Sequence, residues 1–249
     1  MNFNITSFFD STYLKTKEQS GLSDQEEKQV VKSFVLEAVE YRFKLVMIRS
    51  NHIAFAKEII ANNDSNVLVG TVIDFPNGRS TTENKLDEIK SAVNLGADDI
   101  DVVINYELFK KGEYDYIVNQ VKECTNLCLS NNKTIKWIIE SAALSDNEII
   151  DICQLIRDVV VDNFGQNNAH NVFVKSSTGF YVSPDSTPNG ATVSAIKLML
   201  DNSSPLPVKA SGGIRNFKDF KTMVDLGVKR IGTSSALSIL HGKQSDSNY

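Results

Sequence analysis

The chain has 249 residues, a formal net charge of −5 and 41% hydrophobic residues, with an isoelectric point near 5.3. That length can bury a sizeable core in one large or two modest domains, while the acidic balance argues against a nucleic-acid or anionic-membrane partner, since both reward a basic face. No apolar run reaches the roughly 18 residues of a membrane span, the three cysteines do not suggest a disulfide framework, and the Met1-Asn-Phe-Asn-Ile-Thr start lacks the regions of a secretory signal, so a cytoplasmic protein is expected.

Taken from the amino terminus, strand-like runs recur at 7–13, 44–49, 67–74, 99–104, 134–140, 171–177, 207–211 and 230–233. Segments with helical periodicity lie between them, at 24–43, 52–62, 82–95, 114–130, 146–162, 191–200 and 217–226, with a short one from Ser234. Gly96 and Gly227 each follow an apolar helix end and read as C-terminal stops. Asn-Leu-Gly-Ala before Asp98 and Asp-Leu-Gly-Val before Lys229 are the same helix-to-strand joint used twice.

Alternating β and α segments imply parallel strands with crossover helices. Eight units averaging about 31 residues suit a (β/α)8 TIM barrel, which typically runs to roughly 250 residues. A doubly wound sheet would call for a glycine-rich dinucleotide turn after the first strand, and that turn is Asp10-Ser-Thr-Tyr-Leu. No linker or low-complexity block interrupts the chain, so a single barrel domain over 1–249 is expected, with a polar tail at 241–249.

Chemistry concentrates where such a barrel puts it, at the C-terminal ends of the strands. Asp10, Asp101, Lys136, Glu140, Lys175 and Lys209 all fall on strands or at their ends. Any one of them alone is explained by a strand-end charge facing solvent; six on one rim must satisfy one another. Lys175 ends the apolar run Asn171-Val-Phe-Val, and Lys209 sits in Pro207-Val-Lys-Ala-Ser-Gly-Gly-Ile-Arg215. On neighbouring strands their backbones would be about 4.8 Å apart. Repulsion and desolvation both lower a lysine pKa, and bringing one from about 10.4 to near 7 takes roughly 4.6 kcal/mol. A neutral amine attacks carbonyl groups to form a Schiff base, and Asp101 on the inner parity of its strand can move a proton with Lys209 or through a water. The set suits making or breaking a carbon–carbon bond beside a carbonyl.

An anion site is the second feature. Gly212-Gly213 follow the seventh strand, and Gly232-Thr-Ser234-Ser235 follow the eighth and open a short helix. Loops in these two places hold phosphate in many barrels. Cys124 and Cys128 read as helix core, Trp137 as packing, and His52, His170 and His241 as surface or helix residues without metal spacing. The run Ile73-Asp-Phe-Pro-Asn-Gly78 is either a structural corner or part of the rim.

These residues resemble the class I deoxyribose-phosphate aldolase family over nearly the whole chain from Asp10. The resemblance is most specific at Ala97-Asp-Asp-Ile-Asp-Val-Val-Ile-Asn105, Phe173-Val-Lys-Ser-Ser-Thr-Gly-Phe180 and Val208-Lys-Ala-Ser-Gly-Gly-Ile-Arg215. It implies cleavage of 2-deoxy-D-ribose 5-phosphate to glyceraldehyde 3-phosphate and acetaldehyde, with no metal and no cofactor. By matching motif, Lys175 is the Schiff-base lysine, Lys209 the lysine that perturbs it, and Asp101 the proton-transferring aspartate. Asp10, Thr12 and Lys136 match substrate-binding positions, and Gly179, Gly212, Gly213, Gly232, Ser234 and Ser235 match the phosphate pattern. Tyr249 matches a C-terminal tyrosine that assists proton transfer in some members; read alone it is a frayed tail. The chain departs from many members at Met47-Ile-Arg-Ser50, where they carry cysteine and proline, and at Phe180, where some carry lysine. Segments 163–171 and 181–191 are longer than usual. A homo-oligomer is expected, a dimer favoured, because such barrels often pair through outer helices. A transaldolase-like enzyme and a non-catalytic sugar-phosphate binder are the rival readings; the second predicts that one of Lys175, Lys209 or Asp101 is missing, and all three are present.

Overall fold

The computed structural model describes residues 4–183 and 190–242. Strands β1 (Phe9–Tyr13), β2 (Leu45–Ile48), β3 (Leu68–Ile73), β4 (Asp99–Val103), β5 (Thr134–Ile138), β6 (Val172–Lys175), β7 (Val208–Ser211) and β8 (Arg230–Thr233) pair in chain order. Every pairing is parallel, and β8 returns to β1 through Phe9 opposite Ile231. This is a closed eight-stranded (β/α)8 barrel, as the alternating pattern predicts.

The helices are α1 (Lys17–Ser20), α2 (Asp24–Tyr41), α3 (Ile53–Asn62), α4 (Thr82–Asn94), α5 (Tyr106–Lys110), α6 (Tyr114–Ser130), α7 (Asp146–Phe164), α8 (Val193–Ser203), α9 (Phe217–Leu226) and α10 (Ala236–Leu240). Ser23 with Glu26 and Ser145 with Glu148 form capping boxes that start α2 and α7. The single turns α1 and α5 are not predicted, because four or five residues are too few to show a 3.6 period. Caps make them instead: Thr16 accepts from Gln19 N, and Asn105 from Leu108 N. Helix α8 begins at Val193, two residues beyond the predicted start, because Thr192 caps it by accepting from Ala195 N. Among the described residues no helix is long and apolar enough to cross a membrane.

Both repeated joints are built alike. Gly96 N donates to Val93 O and Ala97 N to Ala92 O; Gly227 N donates to Val224 O and Val228 N to Met223 O. The two glycines take φ of +96° and +114°, which a side chain rarely tolerates.

Alternation along the strands divides the protein into two cores. Outward residues such as Val46, Val69, Ile100, Trp137, Val174, Ala210 and Ile231 pack beneath the helices in one continuous apolar layer. Trp137 also donates from Nε1 to Thr125 Oγ1 at 3.2 Å, and Cys124, Cys128 and Cys153 are buried free thiols. Inside the barrel a small apolar group of Leu14, Leu45, Met47 and Val72 fills the side near β2 and β3. Much of the remaining interior is ionic.

Candidate active site

Strand geometry assembles the site before any side chain is considered. Asp99 and Asp101 are two apart on β4 and so face the same way. Register then sets Lys136 opposite Asp101, Lys175 opposite Lys209, and Lys209 opposite Arg230. The side chains converge accordingly. Lys175 Nζ donates to Asp101 Oδ2 at 2.9 Å, and Lys209 Nζ donates to the same oxygen at 2.8 Å while lying 2.6 Å from Asp10 Oδ2. Lys136 Nζ donates to Asp101 Oδ1 at 2.9 Å and to Asp99 Oδ2 at 2.7 Å. Arg230 Nε donates to Asp10 Oδ1 at 2.6 Å, and its Nη2 donates to Asp99 Oδ2 at 3.1 Å.

All seven side chains are buried, Arg230 at 7% exposure the least so. Three carboxylates thus face four basic groups in an enclosed interior. Burial pushes the Asp10 carboxyl up, but Arg230, Lys209 and Lys136 outweigh it and hold it at about 2. Asp101 is likewise raised by burial and more than offset by Lys136, Lys175 and Lys209, well below the usual carboxylate range. Burial pushes Lys136 down, yet Asp101, Asp99 and Asp10 lift it above an ordinary lysine. Lys175 is the exception. Burial brings it down to about 8; Asp101 opposes that, and Lys209 lowers it further. Desolvation therefore leads, and lysine–lysine repulsion, the effect emphasised by the sequence, is a smaller contribution.

Lys175 lies at the floor of a cleft of about 410 Å³ lined also by Thr12, Gly179, Gly212, Gly213, Gly232 and Ser234. Gly212 and Gly213 have φ of +90° and +77°, and a Cβ on Gly212 would sit 2.8 Å from Gly190 Cα, so the turn admits no side chain there. Gly179 donates its N–H to Ser177 Oγ at 2.9 Å, so that donor is already engaged. Ser235 is buried beside the cleft, its N–H donated to Thr233 Oγ1. Asp10, Asp101, Lys136 and Lys209 are fully buried in the ionic cluster and do not line the cleft. Tyr249 and the rest of 243–249 lie outside the described residues, as does 184–189 within the longer loop.

Four residues around the site escaped the sequence reading. Asp99 and Arg230 complete the cluster, Ser211 Oγ is a buried hydroxyl of the cleft without a hydrogen-bond partner, and Arg215 lines its far end. Asp99 shares parity with Asp101, which was an available signal; Arg230 opens a strand, where a charge reads as solvated.

Thr178 borders both this cleft and a second of about 500 Å³, lined also by Phe180, Pro76, Asn77, Tyr106, Lys110 and Glu140. Phe180 meets Phe75 edge-on at 5.1 Å and joins the apolar group inside the barrel. The run at 73–78 is both corner and rim: Asp74 pairs with buried Lys85 at 2.8 Å while Pro76 and Asn77 edge the second cleft. Among the described residues no group of three or more His, Cys, Asp or Glu side chains is arranged to hold a metal ion. The arrangement offers an amine that deprotonates near neutrality, a carboxylate and second amine touching it, and a glycine-lined far end.

The family model for DeoC/LacD family aldolases matches residues 18–242. Over 247 residues the chain is 38% identical to deoxyribose-phosphate aldolase of Staphylococcus epidermidis, covering 99% of this chain and all of that protein. It is 37% identical to deoxyribose-phosphate aldolase of Staphylococcus haemolyticus over the same length and coverage. Among solved structures, the tetrameric deoxyribose phosphate aldolase of Aeropyrum pernix superposes with a TM-score of 0.78 at 26% identity, covering 97% of this chain and 92% of that one.

Proposed function

The chain belongs to the DeoC/LacD aldolase family, and on that premise we propose that it reversibly cleaves 2-deoxy-D-ribose 5-phosphate to D-glyceraldehyde 3-phosphate and acetaldehyde through a Schiff base on Lys175. One observation carries the reading: Lys175, which lines the glycine-bordered cleft, shares a single oxygen of buried Asp101 with Lys209. Neutral Lys175 adds to the C1 carbonyl of the open-chain sugar, and loss of water leaves an iminium at C1. The C3 hydroxyl then gives up its proton to Asp101, directly or through a water, as the C2–C3 bond breaks. Its electrons pass to the iminium, glyceraldehyde 3-phosphate leaves, and an enamine of C1 and C2 remains. Protonation at C2 and addition of water release acetaldehyde and restore the amine. Lys209 stabilises Asp101 as an anion and relays the proton.

At the other end of the cleft, Gly212, Gly213, Gly232 and Ser234 supply neutral donors for the phosphate, with Arg215 the nearby cation; Thr12 meets the sugar. Asp10 and Lys136 act from beneath by fixing Lys209 and Asp101. The chain works as one barrel domain in the cytoplasm and self-associates, as the Aeropyrum pernix relative is described to do. Borohydride reduction in the presence of acetaldehyde is the test: a reduced two-carbon adduct is expected on the peptide containing Lys175, and Lys175→Leu should lose both adduct and cleavage. Full turnover by that variant would end the proposal, and preferred turnover of fructose 6-phosphate would favour the transaldolase-like alternative.

A further inference from the structure

Glu140 is a buried acid that this mechanism leaves without a task. It stands two residues past β5, is 1% exposed and holds φ at +53°, a conformation that non-glycine residues keep only when their contacts over-determine it. Those contacts all go to the loop that follows Lys175. Ser177 Oγ donates to Glu140 Oε1 at 2.7 Å, Thr178 N donates to Oε2 at 3.2 Å, and Thr178 Oγ1 donates to that same Oε2. Three donors meet one group that only accepts, which a carboxylate satisfies and an amide does not. Having given their protons to Glu140, both hydroxyls offer lone pairs onward. Ser177 Oγ accepts from Gly179 N at 2.9 Å and Thr178 Oγ1 accepts from Phe180 N at 3.0 Å. A single carboxylate thereby orders the loop from Ser177 to Phe180. That loop is the wall between the two clefts, with Thr178 bordering both and Gly179 facing the side of Gly212 and Gly213.

We propose that Glu140 is a positioning residue for phosphorylated substrates, holding the Thr178-Gly179 wall at the separation from Gly212-Gly213 that an esterified phosphate requires. Resting on the aldolase reading above, this assigns to Glu140 the discrimination between phosphorylated and unphosphorylated sugars, and no contact with the reacting carbons. Glu140→Gln keeps the side chain's shape but turns one acceptor into an NH2 that faces a donor. For deoxyribose 5-phosphate the KM should then rise about tenfold, the effect of one misplaced hydrogen bond, with kcat changed by less than about threefold. For unphosphorylated 2-deoxyribose kcat/KM should stay within about twofold, so the preference for phosphate falls. Glu140→Asp retains an acceptor for all three donors and should recover part of that preference; it also decides the matter if the glutamine variant does not fold. Equal losses on both sugars, or no loss on either, would overturn the assignment. Lack of an acetaldehyde adduct on Lys175 in the unaltered protein would instead remove the aldolase reading, so the two failures are distinct.

Discussion

Lys175 with a pKa of about 8 has roughly a tenth of its amine neutral at pH 7, against about three parts in ten thousand for an ordinary lysine. Adduct formation with acetaldehyde should therefore rise about tenfold per pH unit below pH 7, about fivefold from pH 7 to pH 8, and then level. Removing the neighbouring like charge with Lys209→Leu should move that midpoint upward. Removing the counter-charge with Asp101→Asn should move it downward, while cleavage falls by about 10²–10⁴ with the loss of proton transfer. Reductive trapping across a pH series reads all three midpoints; variants that shift in the same direction would contradict the opposed roles of the two neighbours.

Neighbouring strands show how tightly those side chains are fitted. A Cβ on Gly232 of β8 would fall on Ser211 Oγ and within 3.1 Å of Lys209 Cε, both on β7. Gly232→Ala should thus destabilise the fold by about 1–3 kcal/mol through overpacking and displace Lys209, visible as a lower melting temperature together with weaker trapping. The elements themselves were legible where pattern is local: apolar runs marked each strand, and the Leu-Gly joints after α4 and α9 ended those helices where expected. The convergence of Lys175, Lys209 and Asp101 was legible too, because all three have inward parity on their strands. Depth along the barrel was not. Arg230 meets partners 131 and 220 residues away, and parity alone does not say which strand residue lies level with which. Asp10 and Lys136, expected on the rim, are fully buried among the charges of the interior.

Taken together, the ionic interior makes the barrel's stability depend on pH in a definite way. Asp10 has its folded pKa depressed from 3.8 to about 2, and Asp101 is depressed in the same direction. Stability from a depressed carboxyl is present above the unfolded pKa and is lost as pH falls through the folded one. Asp10 alone contributes on the order of 2 kcal/mol at neutral pH. Thermal unfolding followed by circular dichroism should show a melting temperature that drops between about pH 4 and pH 2, and Asp10→Asn should flatten that drop while lowering the plateau. Because every carboxylate in the cluster serves at least two bases, a change at one of these positions is felt at several others. Loss of Asp99 takes one partner from both Lys136 and Arg230; loss of Arg230 takes one from both Asp10 and Asp99. Redesign of this pocket, by hand or by selection, is therefore least disruptive when an acid and the base it serves are exchanged together.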